Sequence, residues 1–171
     1  MAKERKIGIL VEDHYEELEL WYPYHRLREA GWEPVLVGPQ KKTYHGKKGS
    51  YPATADTTTA DVDASRLAAL VVPGGYAPDL MRRDPALLAL VAAMDRAGRP
   101  VAAICHAGWV LISAGIVKGR RVTSFVSIRD DLVNAGAEWT DEEVVVDGNL
   151  VTSRHPGDLP AFTTALLRLL D

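Results

Sequence analysis

Four short stretches of the chain are apolar without a break: KIGILV (6–11), PVLVG (34–38), LAALVVP (67–73) and PVAAIC (100–105). Runs of this length, ended by turn or polar residues, predict strands buried on both faces. Between them the apolar positions change to a helical period. EELELWYPYHRLREAG (16–31) places Leu18, Trp21, Tyr22, Leu27 and Ala30 at helical spacing and stops at Gly31, with a kink expected near its start at Pro23. Asp84 followed by Pro85 reads as an N-cap opening PALLALVAAMDRAG (85–98). SIRDDLVNAG (127–136) and DLPAFTTALLRLL (158–170) read as helices, and EEVVVDGNLVTS (142–153) as a hairpin turning at 147–149. The weakly apolar stretch KKTYHGKKGSYPATADTTTADVD (41–63) predicts a small hairpin with a loop, set apart from the main sheet. Strand and helix alternate with no long linker, repeat or low-complexity tract between them. The expectation is one α/β domain over 1–171, a mostly parallel sheet with helices on both faces and small hairpins added.

Composition narrows the function classes. The chain has 171 residues, 47% of them apolar, and no charge-free run approaching the ~18 residues of a membrane span. A net charge of −3 with mixed signs argues against a nucleic-acid partner, and KGRR (118–121) reads as a solvated turn. The apolar segment near the start is too short for a secretion signal, which points to the cytoplasm. One cysteine cannot close an intrachain disulfide, so its thiol is expected to stay reduced. His14, His25, His45 and His155 are scattered, no His-Glu-x-x-His pattern occurs, and a multi-thiolate site is excluded. No metal and no obligatory cofactor are expected.

The lone cysteine, Cys105, raises the chemical question. By itself such a residue reads as a small buried apolar side chain. Its position favours a nucleophile: PVAAI is a strand, GWVLISAG a helix, and only 105–107 lie between them, which forces a sharp strand-to-helix turn that exposes its side chain. A thiol at a helix N-terminus is also expected to have a lowered pKa. Active sites of parallel sheets lie beyond the carboxyl ends of the strands, and other candidates fall there too. Gly74 and Gly75, after LAALVVP, offer either a simple turn or a backbone N–H that joins that of His106 as an oxyanion hole. His106 is a candidate acid or base, and otherwise a surface histidine. Asp79 either orients that histidine or caps a short helix through LMRR (80–83). Glu19, placed one to two turns into the first helix, either donates a hydrogen bond to a thiolate or belongs to an exposed acidic face with Glu12, Glu16 and Glu17.

AICHAG after a strand, together with VVPGG, ELWYPYHRL, SIRDDLVNAGAEW, VVVDGNLVTSR and DLPAF, resembles the PfpI family of intracellular cysteine peptidases, part of the superfamily of the parkinsonism-associated deglycase. The likeness runs from 6 to 170. It implies a flavodoxin-like, class I glutamine-amidotransferase-like sandwich. It further implies Cys105 as nucleophile on the elbow, His106 beside it, and Glu19 in contact with the thiol. The acid for the histidine would come across a subunit interface from the position of Asp79, where many relatives carry glutamate. Two other departures are CHAGW in place of CHGPQ, which brings Trp109 to the pocket wall, and Phe125 where some relatives have tyrosine. The implied protein is a homo-oligomer, a dimer or larger, up to a hexamer. Its implied chemistry is cofactor-independent hydrolysis of peptides, removal of glyoxal-type adducts from proteins, or hydration of such aldehydes, in a stress response. Two other readings stay open: a redox sensor or holdase whose oxidised Cys105 is stabilised by Glu19, and a catalytically silent member.

Overall fold

The computed structural model describes residues 5–171. β1 (Lys6–Leu10) buries Ile7, Ile9 and Leu10 completely. Gly8 lies between them because a Cβ there would come within 2.9 Å of a Leu70 methyl. α1 (Glu17–Glu29) follows, runs on through a buried Pro23, and gives way to Gly31 at φ +83°. β2 (Glu33–Gly38) pairs parallel with β1, Lys6 opposite Glu33 through Leu10 opposite Val37.

The next stretch departs from expectation. β3 (Thr43–Tyr44) and β4 (Ala53–Thr54) form the predicted hairpin, but β5 (Thr57–Thr58) joins the main sheet beside β2. Asp56 draws it in: its carboxylate accepts from the Leu36 N–H (2.8 Å) and its own N–H donates to the Leu36 carbonyl (2.9 Å). The stretch is therefore not wholly set apart.

β6 (Leu67–Val72), α2 (Ala77–Met81) and α3 (Pro85–Arg96) come next, α3 capped by Asp84, whose Oδ1 accepts from Ala86 N at 2.9 Å. β7 (Val101–Ile104) leads through a single 3-10 turn into α4 (Gly108–Ser113). β8 (Arg121–Val122), α5 (Arg129–Asn134) and β9 (Glu138–Trp139) form a side unit whose two strands pair parallel, a ladder too short for its sequence to announce. β10 (Val144–Asp147) and β11 (Leu150–Ser153) are the expected hairpin, turning at Gly148, and α6 (Leu159–Leu170) closes the fold.

The main sheet has the order β10-β11-β7-β6-β1-β2-β5 and is parallel except for β10. α1 and α6 pack together over one face, and α2, α3 and α4 over the other, giving three layers around one buried apolar cluster. From β1 the chain steps outward to β2 and later returns on the other side to β6. The carboxyl ends of β1 and β6 therefore flank the point where strand order reverses, where open α/β sheets hold their ligands. Among the described residues no helix is long and apolar enough to cross a membrane.

Candidate active site

Cys105 sits one residue past β7 at φ +63°, a left-handed conformation that costs a non-glycine residue about 1–3 kcal/mol. The turn lifts the half-buried thiol to the carboxyl edge of the sheet. There its Sγ lies 3.3 Å from His106 Nδ1, and the backbone N–H groups of His106 and Gly75 point to the sulfur.

The glycines explain how the backbone comes so near. At Gly75 φ is +80°, and a Cβ would lie 2.5 Å from the His14 carbonyl oxygen. At Gly74 a Cβ would lie 2.6 Å from Glu19 Oε2 and 2.7 Å from Cys105 Cβ, so any side chain there would occupy the site itself. The Gly74 N–H donates to Glu19 Oε2 at 2.8 Å, and its carbonyl accepts from Glu16 N at 3.2 Å. Glu19 stands in the first turn of α1, earlier than expected, and is fully buried rather than part of an exposed acidic face.

Burial governs the charges. It pushes the Glu19 carboxyl up to about 8, helped by the nearby Glu16 charge and opposed by the Gly74 N–H, the Cys105 thiol and Lys47. It pushes the Cys105 thiol up to about 12, with the Glu19 charge adding to the rise and the His106 and Gly75 N–H groups and Lys47 opposing it. The lowered thiol pKa expected from the helix terminus is thus overturned, because desolvation outweighs two N–H dipoles. His106 is shifted the other way, below 6.5, first by burial and then by the Lys47 charge. At neutral pH the resting arrangement is a thiol beside a neutral imidazole and a neutral carboxylic acid.

Lys47 was not among the residues singled out from sequence. It lies in the loop between β3 and β4, its backbone N–H bonded to the Tyr15 carbonyl (2.9 Å) and its ammonium paired with the buried Glu16 carboxylate. Nothing in KKTYHGKKGS distinguishes it from its lysine neighbours. Only the folding of the hairpin back over Tyr15 brings its charge close enough to act on the thiol.

The His106 ring is held by aromatic neighbours, stacked on Phe125 (centroids 5.1 Å, planes at 26°) and edge-on to Trp109 (5.2 Å, 66°). Asp79 is elsewhere. It lies inside α2 rather than capping it, faces solvent, and its carboxyl has no hydrogen-bond or ionic partner among the described residues. Also among the described residues, no group of three or more His, Cys, Asp or Glu side chains is placed to hold a metal ion.

Residues 5–169 match the model of the DJ-1/PfpI family. The chain belongs to this family. Deglycase PfpI of Pyrococcus furiosus, a DJ-1/PfpI relative, is 47% identical over 165 residues, covering 96% of this chain and 99% of the relative. General stress protein 18 of Bacillus subtilis is 40% identical over 169 residues, covering 98% of each. Among solved DJ-1/PfpI structures, a two-domain protein from Anabaena variabilis with DJ-1/ThiJ/PfpI-like and ferritin-like domains superposes with a TM-score of 0.96 at 45% identity. The match covers 97% of this chain but spans only 48% of that one.

Proposed function

We propose that this protein is a cofactor-independent cysteine hydrolase of the PfpI type, acting at carbonyl carbon on glyoxal-type adducts of proteins, small aldehydes or peptides. The observation that carries the reading is the left-handed turn at Cys105, with Sγ 3.3 Å from His106 Nδ1 and facing two backbone N–H groups. The names of its relatives, a deglycase and a general stress protein, support that chemistry and a role in stress.

In this mechanism neutral His106, with its proton on Nε2, takes the thiol proton at Nδ1 as Sγ bonds to the carbonyl carbon. The carbonyl π pair moves to oxygen, which the Gly75 and His106 N–H groups receive. For an amide, collapse of the tetrahedral adduct breaks the C–N bond and the imidazolium returns its proton to the leaving amine. Water then releases the acyl group, His106 again acting as base. Glu19 in its acid form keeps negative charge away from the developing thiolate.

The assembly completes the site. Asp79 projects from α2 into solvent and is the acid that a second copy would offer to His106 Nε2, making the active unit at least a dimer. We place the protein in the cytoplasm as a single domain, on the strength of one unpaired thiol and one contiguous core.

The test is turnover by reduced protein on methylglyoxal-modified peptide, free methylglyoxal and unmodified peptide, each compared with Cys105→Ala. Many turnovers per chain on at least one substrate, lost in the variant, are expected. Turnover that survives the substitution, or stops at one per chain, would overturn the reading.

A further inference from the structure

Resting on that reading, we propose that Trp109 is a positioning residue for His106, its ring contact holding the imidazole toward the thiol from within the chain, beside the acid that Asp79 of a second copy would offer to Nε2. Among the described residues the only hydrogen bond of the ring is the one to Cys105. The other contacts that hold the ring within the chain are aromatic. Trp109 follows His106 by three residues, so the turn into α4 sets its indole against the imidazole edge at 5.2 Å. Phe125 stacks on the ring at 5.1 Å, and its backbone N–H is tied to the Cys105 carbonyl at 3.3 Å.

The indole is itself braced by two neighbours, Asp131 and Arg82. Its Nε1–H donates to Asp131 on α5 at 2.8 Å. The Arg82 guanidinium, just after α2, lies 5.9 Å from its centroid, and Arg82 Nε donates to Ser113 Oγ of α4 at 3.0 Å. Such bracing points to a placed part rather than a loose wall. Phe125 on one face and Trp109 at an edge flank the ring while its Nδ1 lies 3.3 Å from Sγ. The charged and titratable groups around it are Cys105 on its own turn, Lys47 from the β3–β4 loop and, behind the indole, Arg82 and Asp131.

Trp109→Ala should lower kcat on the order of tenfold to a hundredfold with little change in KM, as expected when a reacting group is displaced by about 1 Å. The His106 imidazole, followed by NMR, should titrate at higher pH than in the unsubstituted protein as water reaches the ring. Trp109→Phe should restore most of kcat and the titration. Asp131 is exposed, so Asp131→Ala keeps the fold and loosens only the indole; it should move both readouts the same way by less. A folded Trp109→Ala with unchanged kcat and titration would overturn the proposal, as would Trp109→Phe proving no better than alanine. Should the alanine variant fail to fold, an Asp131→Ala variant with both readouts unmoved would overturn it. If instead the unsubstituted protein shows no Cys105-dependent turnover, the hydrolase reading fails, and the NMR titrations still decide the positioning role.

Discussion

Replacing Glu19 by glutamine isolates the cost of a buried carboxyl. Its folded-state pKa is raised from the ordinary 4.5 to about 8. Between those values the folded chain holds a proton that the unfolded chain has released, so raising the pH draws the equilibrium toward unfolding. The stabilisation is fully present below 4.5 and is lost as pH rises through about 8. At about 1.4 kcal/mol per unit the whole effect is about 5 kcal/mol, and about 3 kcal/mol of it falls between roughly pH 5 and 7.5. That is a large share of a domain's typical total of about 5–15 kcal/mol. Glutamine has nearly the same shape, can accept the Gly74 N–H through its carbonyl, and does not titrate. Urea unfolding of both proteins, as a function of pH, should therefore show Glu19→Gln gaining on the unsubstituted protein by about 3 kcal/mol over that interval. The rise at Cys105 has the same sign but acts between 9 and about 12, above the range measured. The lowered His106 pKa acts in the opposite sense and is common to both proteins, so it cancels. Two stability curves that stay parallel from acid to neutral pH would refute the argument that burial keeps this carboxyl protonated.

Gly74→Ala should destabilise the fold by about 1–3 kcal/mol and abolish turnover. Its Cβ would enter between Glu19 Oε2 and Cys105 Cβ, with the Ile104 carbonyl 3.0 Å away, and a fully active alanine variant would contradict that packing. Cys105→Ala and Asp79→Ala chains should each be impaired alone and regain part of the activity when assembled together, because a mixed interface joins an intact Cys105 and His106 to an intact Asp79. Co-assembled chains that remain inactive, or a fully active Asp79→Ala, would remove Asp79 from the mechanism.

The elements that build the central sheet were legible because burial on both faces leaves an uninterrupted apolar run, as in LAALVV of β6 and VAAI of β7. Cys105 could be placed for the same reason: the end of one periodicity and the start of another left no room for anything but a tight turn. The hairpin region was not, since β5 is two threonines held by the Asp56 side chain, and Lys47 is set beside Glu16, where its charge acts on the thiol, through a contact with Tyr15 that local pattern does not encode. The sign of the thiol shift was also hidden. A helix terminus can be read from residue order, but the depth to which Cys105 and Glu19 are desolvated follows from how α1, β6 and β7 pack. Trp109 and Phe125 were visible only as departures from the family pattern, and their convergence on one imidazole required the fold.

The pH dependence of kcat/KM tests the mechanism most directly, because it reports the groups of the free protein that must be in the right protonation state. A neutral His106 base beside a protonated Glu19 predicts a bell. Activity should rise through a limb below 6.5 as His106 loses its proton, and fall through a limb near 8 as Glu19 ionises against the developing thiolate. Glu19→Gln should remove the alkaline limb and leave the acid one. A profile that climbs without a maximum beyond pH 9, as for a thiol that must ionise in solution before it attacks, would contradict the account.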